Sequence, residues 1–313
     1  MPDLILHHYA NSPFAEKIRL VMGHKKLAWK SVLTPNILPK PNLVALTGGY
    51  RRAPVLQIGA DIYCDTALIC DVLEHRAPEP TLYPKTQKGL SRVLAQWADG
   101  TVFWAAMGYN FSPRGAAAMF KVAPAGTAEA FAKDRGAMRG GMPRMPAADA
   151  AAAYRSYLRR IADALDHSAF LLGDAPCIAD FATYHPLWFS RVCIPEMADI
   201  FEPVPQVLAW MDRIASIGHG TVDKSFDAAA AIALAKQSTP EPIAADAFFQ
   251  DEHGIPLGSQ VTITAESFGL EPTQGELLAA TRMHYTLRRN DERAGTVHVH
   301  FPRIGYILKK QED

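Results

Sequence analysis

The residues best placed to do chemistry lie in Tyr9-Ala10-Asn11-Ser12-Pro13-Phe14-Ala15-Glu16-Lys17-Ile18-Arg19. Ser12 followed by Pro13 is a helix-start signal: a hydroxyl N-cap, then proline at the first helical position. The hydroxyl therefore stands at the positive end of a helix, where an anion is stabilised. Ser12-Pro13-Phe14-Ala15 also has the spacing of a Cys-x-x-Cys redox motif, with serine and alanine in place of the two sulfurs. Such a segment has no dithiol exchange of its own but suits holding another molecule's thiol. A plain N-cap is the competing reading, and this stretch alone leaves both open. Asp65-Thr66 is a second acidic-plus-hydroxyl helix start, read either as a cap or as a cradle for a ligand carboxylate.

The elements that must position these residues follow from periodicity. Leu4-Ile5-Leu6 reads as a buried strand ending near His8, and Ile18, Val21 and Met22 recur behind Ser12 at helical spacing. Trp29 to Leu33 reads as a second strand. A proline-rich loop and a short helix near Asn42 to Leu46 follow, stopped by Gly48-Gly49. Ala53 to Cys64 reads as two strands joined by a tight turn at Gly59-Ala60-Asp61. Asp65-Thr66 then opens a helix. The order βαβαββα describes a small α/β unit over residues 1–77. Pro54 heads an apparently central strand, which suits a cis bond after Ala53 and an Ala53 backbone turned towards an extended peptide.

Composition narrows the classes of function. The chain has 313 residues, enough for two or three domains. Its 32 basic and 32 acidic residues cancel, so no global field favours nucleic acid or anionic membrane. No apolar run approaches a membrane span, and Met1-Pro2-Asp3 lacks the basic and apolar regions of a signal peptide. Cys64, Cys70, Cys177 and Cys193 are too widely spaced for a zinc site or a disulfide scaffold. The cytoplasm is the expected compartment.

Three pieces, 11–19, Arg52-Ala53-Pro54-Val55-Leu56 and Asp65-Thr66-Ala67-Leu68-Ile69, together resemble the glutathione S-transferases. The resemblance covers roughly residues 1–235. It implies a thioredoxin-like glutathione domain over 1–77 and an all-helical substrate domain over 87–236. It places the thiol-activating hydroxyl at Ser12, with Tyr9 as second candidate. The implied glutathione contacts are Asn11, Phe14, Arg52, Ala53, Pro54, Asp65 and Thr66. Glutathione is the implied co-substrate with no metal, a small hydrophobic electrophile is the second substrate, and a homodimer is the implied assembly. Detoxification is the implied role. Isomerisation, dehalogenation, ether cleavage, disulfide exchange and a non-catalytic scaffold remain alternatives on the same fold. The electrophile is expected near Tyr9, Phe14 and the helix carrying Trp104 and Met107.

Beyond a proline-rich linker at 78–86, helical periods run through Leu90, Val93, Leu94, Trp97, Thr101 and Trp104. Residues 112–146 read as a long connection with one helical piece near Ala128 to Ala137. Ala147 to Asp166 is a strong helix. Phe170 to Asp180 is similar to the family's helical-domain signature, with Cys177 in place of the capping hydroxyl and Asp180 retained, which weakens the capping box. After a second linker at 237–242 the period changes to alternation. Val261, Ile263 and Ala265 share a face, with similar runs at 283–287, 296–301 and 304–308. A small antiparallel β module is therefore expected over 243–313, packed on the helical domain or on a second subunit. His298 and His300 would share a face of one strand, but no histidine spacing there is diagnostic of a metal. The residues from 240 onward hold 7 basic and 11 acidic side chains, which speaks against a nucleic-acid clamp.

Overall fold

The computed structural model describes residues 3–243 and 251–312. The strand β1 (Ile5–His8), helix α1 (Pro13–His24) and strand β2 (Ala28–Leu33) open the chain. The helix α2 (Pro41–Thr47), the hairpin β3 (Val55–Ile58) and β4 (Asp61–Cys64), and α3 (Thr66–Arg76) follow. β1 pairs in parallel with β2 and antiparallel with β3, so that Leu6 faces Ser31 on one side and Leu56 on the other. This is the expected thioredoxin-like unit. Every residue of β1, β3 and β4 is buried, because both faces of the sheet are covered. Alternation divides the strands between two cores. Leu6, Leu56, Ile58 and Tyr63 pack with α1, α3 and the helical domain, whereas Val55, Ile62 and Cys64 pack towards α2 and the C-terminal strands.

The helical domain consists of α4 (Lys88–Trp97), a π-helical turn over 98–102, α5 (Phe103–Asn110), α6 (Pro113–Met119), α7 (Thr127–Arg139), α8 (Ala147–Ala164), α9 (Ile178–Trp188) and α10 (Pro205–Ala215). Its centre is α9, buried from Ile178 to Leu187. Asp180 fixes the start of α9: its carboxylate accepts from the backbone N–H groups of Cys177 (3.0 Å) and Leu171 (2.9 Å) and from Trp210 Nε1 (3.0 Å). The acidic half of the capping box is therefore in place without a serine or threonine at position 177. The 112–146 connection holds one more helix than its composition suggests, α6, started by Ser112 Oγ capping Gly115 and by Pro113. The proline-rich linker is pinned rather than loose. Leu82 and Tyr83 are buried, Tyr83 Oη donates to Asp71 (2.6 Å), and Lys25 Nζ donates to the carbonyls of Ala77 and Pro80.

The C-terminal residues revise the expected placement of the β module. A short strand β5 (Thr221–Asp223) adds to β2, and α11 (Ala228–Gln237) packs on the sheet, with Gln57 Nε2 donating to the carbonyl of Ala231 (2.9 Å). The strands β6 (Gln260–Ala265), β7 (Thr273–Ala280), β8 (His284–Asp291), β9 (Gly295–Pro302) and β10 (Tyr306–Lys310) form an antiparallel set. β9 then pairs in parallel with β4, with Ile62 opposite Val299, so one ten-stranded sheet runs β10-β6-β7-β8-β9-β4-β3-β1-β2-β5. The module does not sit chiefly on the helical domain; it extends the thioredoxin-like sheet. The physical reason is that β4 would otherwise be an unpaired edge, and β9 satisfies its backbone groups. Residues 244–250, where the expected module begins, lie outside the described residues.

Asp61 rivets this junction. Its carboxylate accepts from His300 Nε2 (2.9 Å) and from the Glu241 backbone N–H (2.8 Å), while Tyr63 stacks on the His300 ring at 4.5 Å. The other ring nitrogen of His300 meets Thr286 Oγ1 at 2.9 Å. His300 is thus spent on joining strands. β7 escaped the sequence reading because Leu277-Leu278-Ala279-Ala280 does not alternate; a bulge between Leu277 and Ala279 accommodates that run.

Candidate functional site

Two helix N-termini, those of α1 and α3, lie at the same end of the sheet. Ser12 caps α1: its Oγ accepts from the Ala15 N–H at 3.2 Å, and its own N–H donates to the carbonyl of Tyr9 at 3.1 Å. Ser12 as a whole is 1% exposed. Asp65 caps α3, with Oδ1 accepting from the Ala67 N–H at 2.9 Å. Its φ of 77° is in the region that side chains avoid, a strain the surrounding sheet and helix must hold.

Lys17, in the second turn of α1, ties the two starts together. Its buried Nζ donates to Thr66 Oγ1 (3.2 Å) and to Asp99 Oδ2 (2.6 Å). Asp99 also accepts from His185 Nε2 at 2.9 Å, bringing α9 into the network. Burial alone would push the Asp99 carboxyl up, but Lys17 and His185 outweigh it and hold it below the ordinary carboxylate range. Burial likewise opposes the Lys17 ammonium, but the charged groups around it, Asp99 foremost, together leave its pKa raised. The Thr66 hydroxyl accepts from Lys17 and keeps its own proton to donate.

Arg52 precedes the cis Ala53–Pro54 bond at the head of β3. Its Nη2 donates to Tyr306 Oη at 2.8 Å, and that phenol donates in turn to Asp65 Oδ2 at 3.0 Å. The guanidinium also lies within cation–π range of the Tyr50 and Tyr306 rings, at 5.2 and 5.3 Å. Its Nε is buried without a partner among the described residues. A ligand carboxylate would suit that leftover donor.

The structure therefore brings Arg52, Asp65, Thr66 and the start of α1 to one place. It treats the other expected residues differently. Tyr9 is half-buried, with Lys40 Nζ 5.6 Å from its ring centre; that ammonium donates to the Arg51 carbonyl at 3.0 Å. Burial, helped by Arg135 and Arg51, lowers the Lys40 pKa to about 8. Asn11 is exposed. Phe14 packs at the domain junction, against Phe103 (4.7 Å) and His185 (4.5 Å). Trp104 is met edge-on by Phe268 at 5.1 Å, so an apolar side chain of the C-terminal module stands where an electrophile pocket was expected. A cavity of about 630 Å³ lies instead beside Ala10, walled by Trp29, Trp188 and Phe226 and by the interlinked polar side chains of His8, Glu16 and Arg19.

Sequence reasoning missed Lys17, Lys40, Tyr306 and Phe268. Lys17 lay within the recognised stretch, where its unusual burial has no signature in one dimension. Tyr306 lies 254 residues from its partner Arg52 and 241 from Asp65, and no local pattern reports such contacts.

The family model described as glutathione S-transferase, N-terminal domain, matches residues 6–81, and that for the C-terminal domain matches residues 128–213. A solved GST-like protein from Pseudomonas syringae is 41% identical, with 99% of this chain and 100% of that chain covered and a TM-score of 0.83. That likeness extends through the C-terminal strands. A beta-etherase from Sphingobium sp. strain SYK-6 (17% identical, 68% of this chain and 95% of that chain covered, TM-score 0.51) shares the fold. So does a Tau class glutathione S-transferase from mango (15% identical, 68% and 89% covered, TM-score 0.51). The comparison with curated proteins found no match. With both domain models matched in order and a relative of this identity aligned from end to end, the chain belongs to the glutathione S-transferase family and is an enzyme of that type.

Proposed function

We propose that the protein is a glutathione-dependent transferase in which Ser12 donates a hydrogen bond from its hydroxyl to the sulfur of bound glutathione and stabilises the thiolate, the thiol proton leaving to solvent. The bound tripeptide supplies the nucleophilic sulfur, which attacks an electrophilic carbon of a small hydrophobic substrate, forming a thioether as the leaving group departs with the bonding pair. The observation that carries this reading is the meeting of Ser12, Lys17, Thr66, Asp65 and Arg52 at two neighbouring helix N-termini. Such a cluster suits a zwitterionic ligand with a thiol: Arg52 for a carboxylate, Asp65 for an ammonium, Thr66 for a second carboxylate oxygen, and the Ala53–Pro54 backbone for the cysteinyl unit. Asn11 and Phe14 would flank the ligand, and Tyr9 is the reserve donor. Assembly as a homodimer belongs to the same proposal.

Magnitudes support Ser12 without a general base. A free thiol titrates near about 8.5, and lowering it by about two units needs about 2.7 kcal/mol of preferential stabilisation of the anion. A hydrogen bond to a charged group contributes about 1.5–3 kcal/mol, and a helix N-terminus about 0.3–1 kcal/mol. Ser12 Oγ accepts from Ala15 N–H through a lone pair, so its proton stays free for the sulfur.

Calorimetric titration of glutathione into the protein and into Ser12→Ala, in buffers of different ionisation enthalpy, tests the proposal. Wild type should bind with release of about 0.7 proton at pH 7, the difference between a thiol titrating near 8.5 and one lowered by two units, and Ser12→Ala should bind with that release lost. Equal proton release in both proteins would remove Ser12 from the role and turn attention to Tyr9. No binding at millimolar glutathione would refute the reading.

A further inference from the structure

We propose that the C-terminal module is an intramolecular competitor for the glutathione site, with Tyr306 as the competing group and residues 266–272 as the strap that closes the cleft. The inference rests on the glutathione reading above and adds the element that sets the site's affinity.

The chemistry of Tyr306 is that of a stand-in ligand. One phenol oxygen accepts from Arg52 Nη2 (2.8 Å), as a ligand carboxylate would, and donates to Asp65 Oδ2 (3.0 Å), as a ligand ammonium would. Burial, with Asp65 close by, holds that phenol well above its ordinary pKa, so it keeps the proton it donates. A carboxylate gripping Arg52 through Nε and Nη2 together, and an ammonium on Asp65 Oδ2, would need atoms that Tyr306 holds, so a glutathione bound in that way and Tyr306 exclude one another.

The strap joins β6 to β7 and crosses between the two domains. Phe268 meets Trp104 of α5 at 5.1 Å. The Gly269 N–H donates to the carbonyl of Met138, in α7, at 2.6 Å. Glu271 pairs with Arg51 at 2.7 Å, beside Arg52. Gly269 lies so close to the Arg52 stem that a Cβ there would fall 3.2 Å from Arg52 Cγ. Ser12 and Thr66, which a ligand must reach, are 1% and 5% exposed.

The cover also lies at an edge of the sheet. Tyr306 begins β10, the last strand, which pairs on one side only, with β6. The strap itself has no regular secondary structure. Segments with few partners open at low free energy. A ligand with full charges at both ends would replace bonds that carry a charge on one partner only by ion pairs charged on both, so the exchange is reversible by mass action.

The test uses the full chain in three forms: wild type, Tyr306→Phe, and Tyr306→Phe with Phe268→Ala. Glutathione affinity is measured by calorimetry, and amide hydrogen exchange is followed over residues 13–18 and 66–69 without ligand and over 266–272 with and without it. Competition predicts at least a ten-fold tighter dissociation constant in the double variant, an intermediate value in Tyr306→Phe, and faster exchange at both helix starts in the variants. Glutathione added to wild type should speed exchange in the strap. Equal affinities within two-fold together with unchanged exchange would overturn the proposal while leaving glutathione binding intact. If no form binds glutathione, the transferase reading fails, and exchange decides the closure separately: faster exchange in the variants sustains it, and unchanged exchange removes it.

Discussion

Replacing Asp99 by asparagine isolates the network that joins the two helix starts to the helical domain. The Lys17 side chain is 1% exposed, and its Nζ lies 2.6 Å from Asp99 Oδ2. At an effective dielectric constant of about 20, that separation corresponds to about 6 kcal/mol of gross attraction. Asparagine removes the charge, regains part of the desolvation penalty, and leaves the ammonium buried with Thr66 as its neutral partner. Breaking a buried pair from one side typically costs about 3–5 kcal/mol, and Asp99→Asn should fall in that range. Lys17→Met combined with Asp99→Asn should lose less than the sum of the single changes, with a coupling of about 1–3 kcal/mol. Urea unfolding of the four proteins at pH 7.5 measures both quantities, with equal m-values as the check that one transition is being compared. A loss below about 1 kcal/mol for Asp99→Asn, or additivity of the two changes, would mean that Lys17 finds water or another partner and that the network does not hold the helix starts together.

Acid should weaken the fold before its carboxylates titrate. Burial lowers the pKa of His7 and of His8 to about 4, from about 6.5 when unfolded. Both are neutral at pH 7.5, where they contribute nothing; below pH 6.5 the unfolded chain takes up protons that the folded one refuses, so stability falls as pH drops towards 4. At pH 5 the loss is about 2 kcal/mol for each histidine, and urea midpoints at pH 7.5 and 5.0 should differ accordingly, with the difference reduced in His7→Gln. Gly49→Ala should loosen the C-terminal module, because the added Cβ would lie 2.0 Å from the carbonyl oxygen of Pro272. A loss of about 1–3 kcal/mol is expected, read as a lower melting temperature together with faster exchange in β7; an unchanged melting temperature would show that the module does not dock there.

Much of the first domain was legible one element at a time. Leu4-Ile5-Leu6, the Ser12-Pro13 start and the Gly48 stop are local signals, and local steric and capping energies act whatever surrounds them. The same holds for the Gly59–Ala60 turn and for α8. The C-terminal strands were legible as strands wherever side chains alternate, as in β6, and illegible where a bulge breaks the alternation, as in β7.

By itself, then, the sequence determined the helix starts, the order of elements and the presence of hydroxyl and charged groups at positions 12, 52, 65 and 66. These follow from contacts within a few residues. Only the tertiary structure decided that β9 would close the edge left by β4, that Lys17 would be buried between Thr66 and Asp99, and that Tyr306 would lie between Arg52 and Asp65. Each of these is a pairing across tens to hundreds of residues, selected because buried charges and strand edges must find partners. A sequence states which groups will need partners, and the packed chain chooses them.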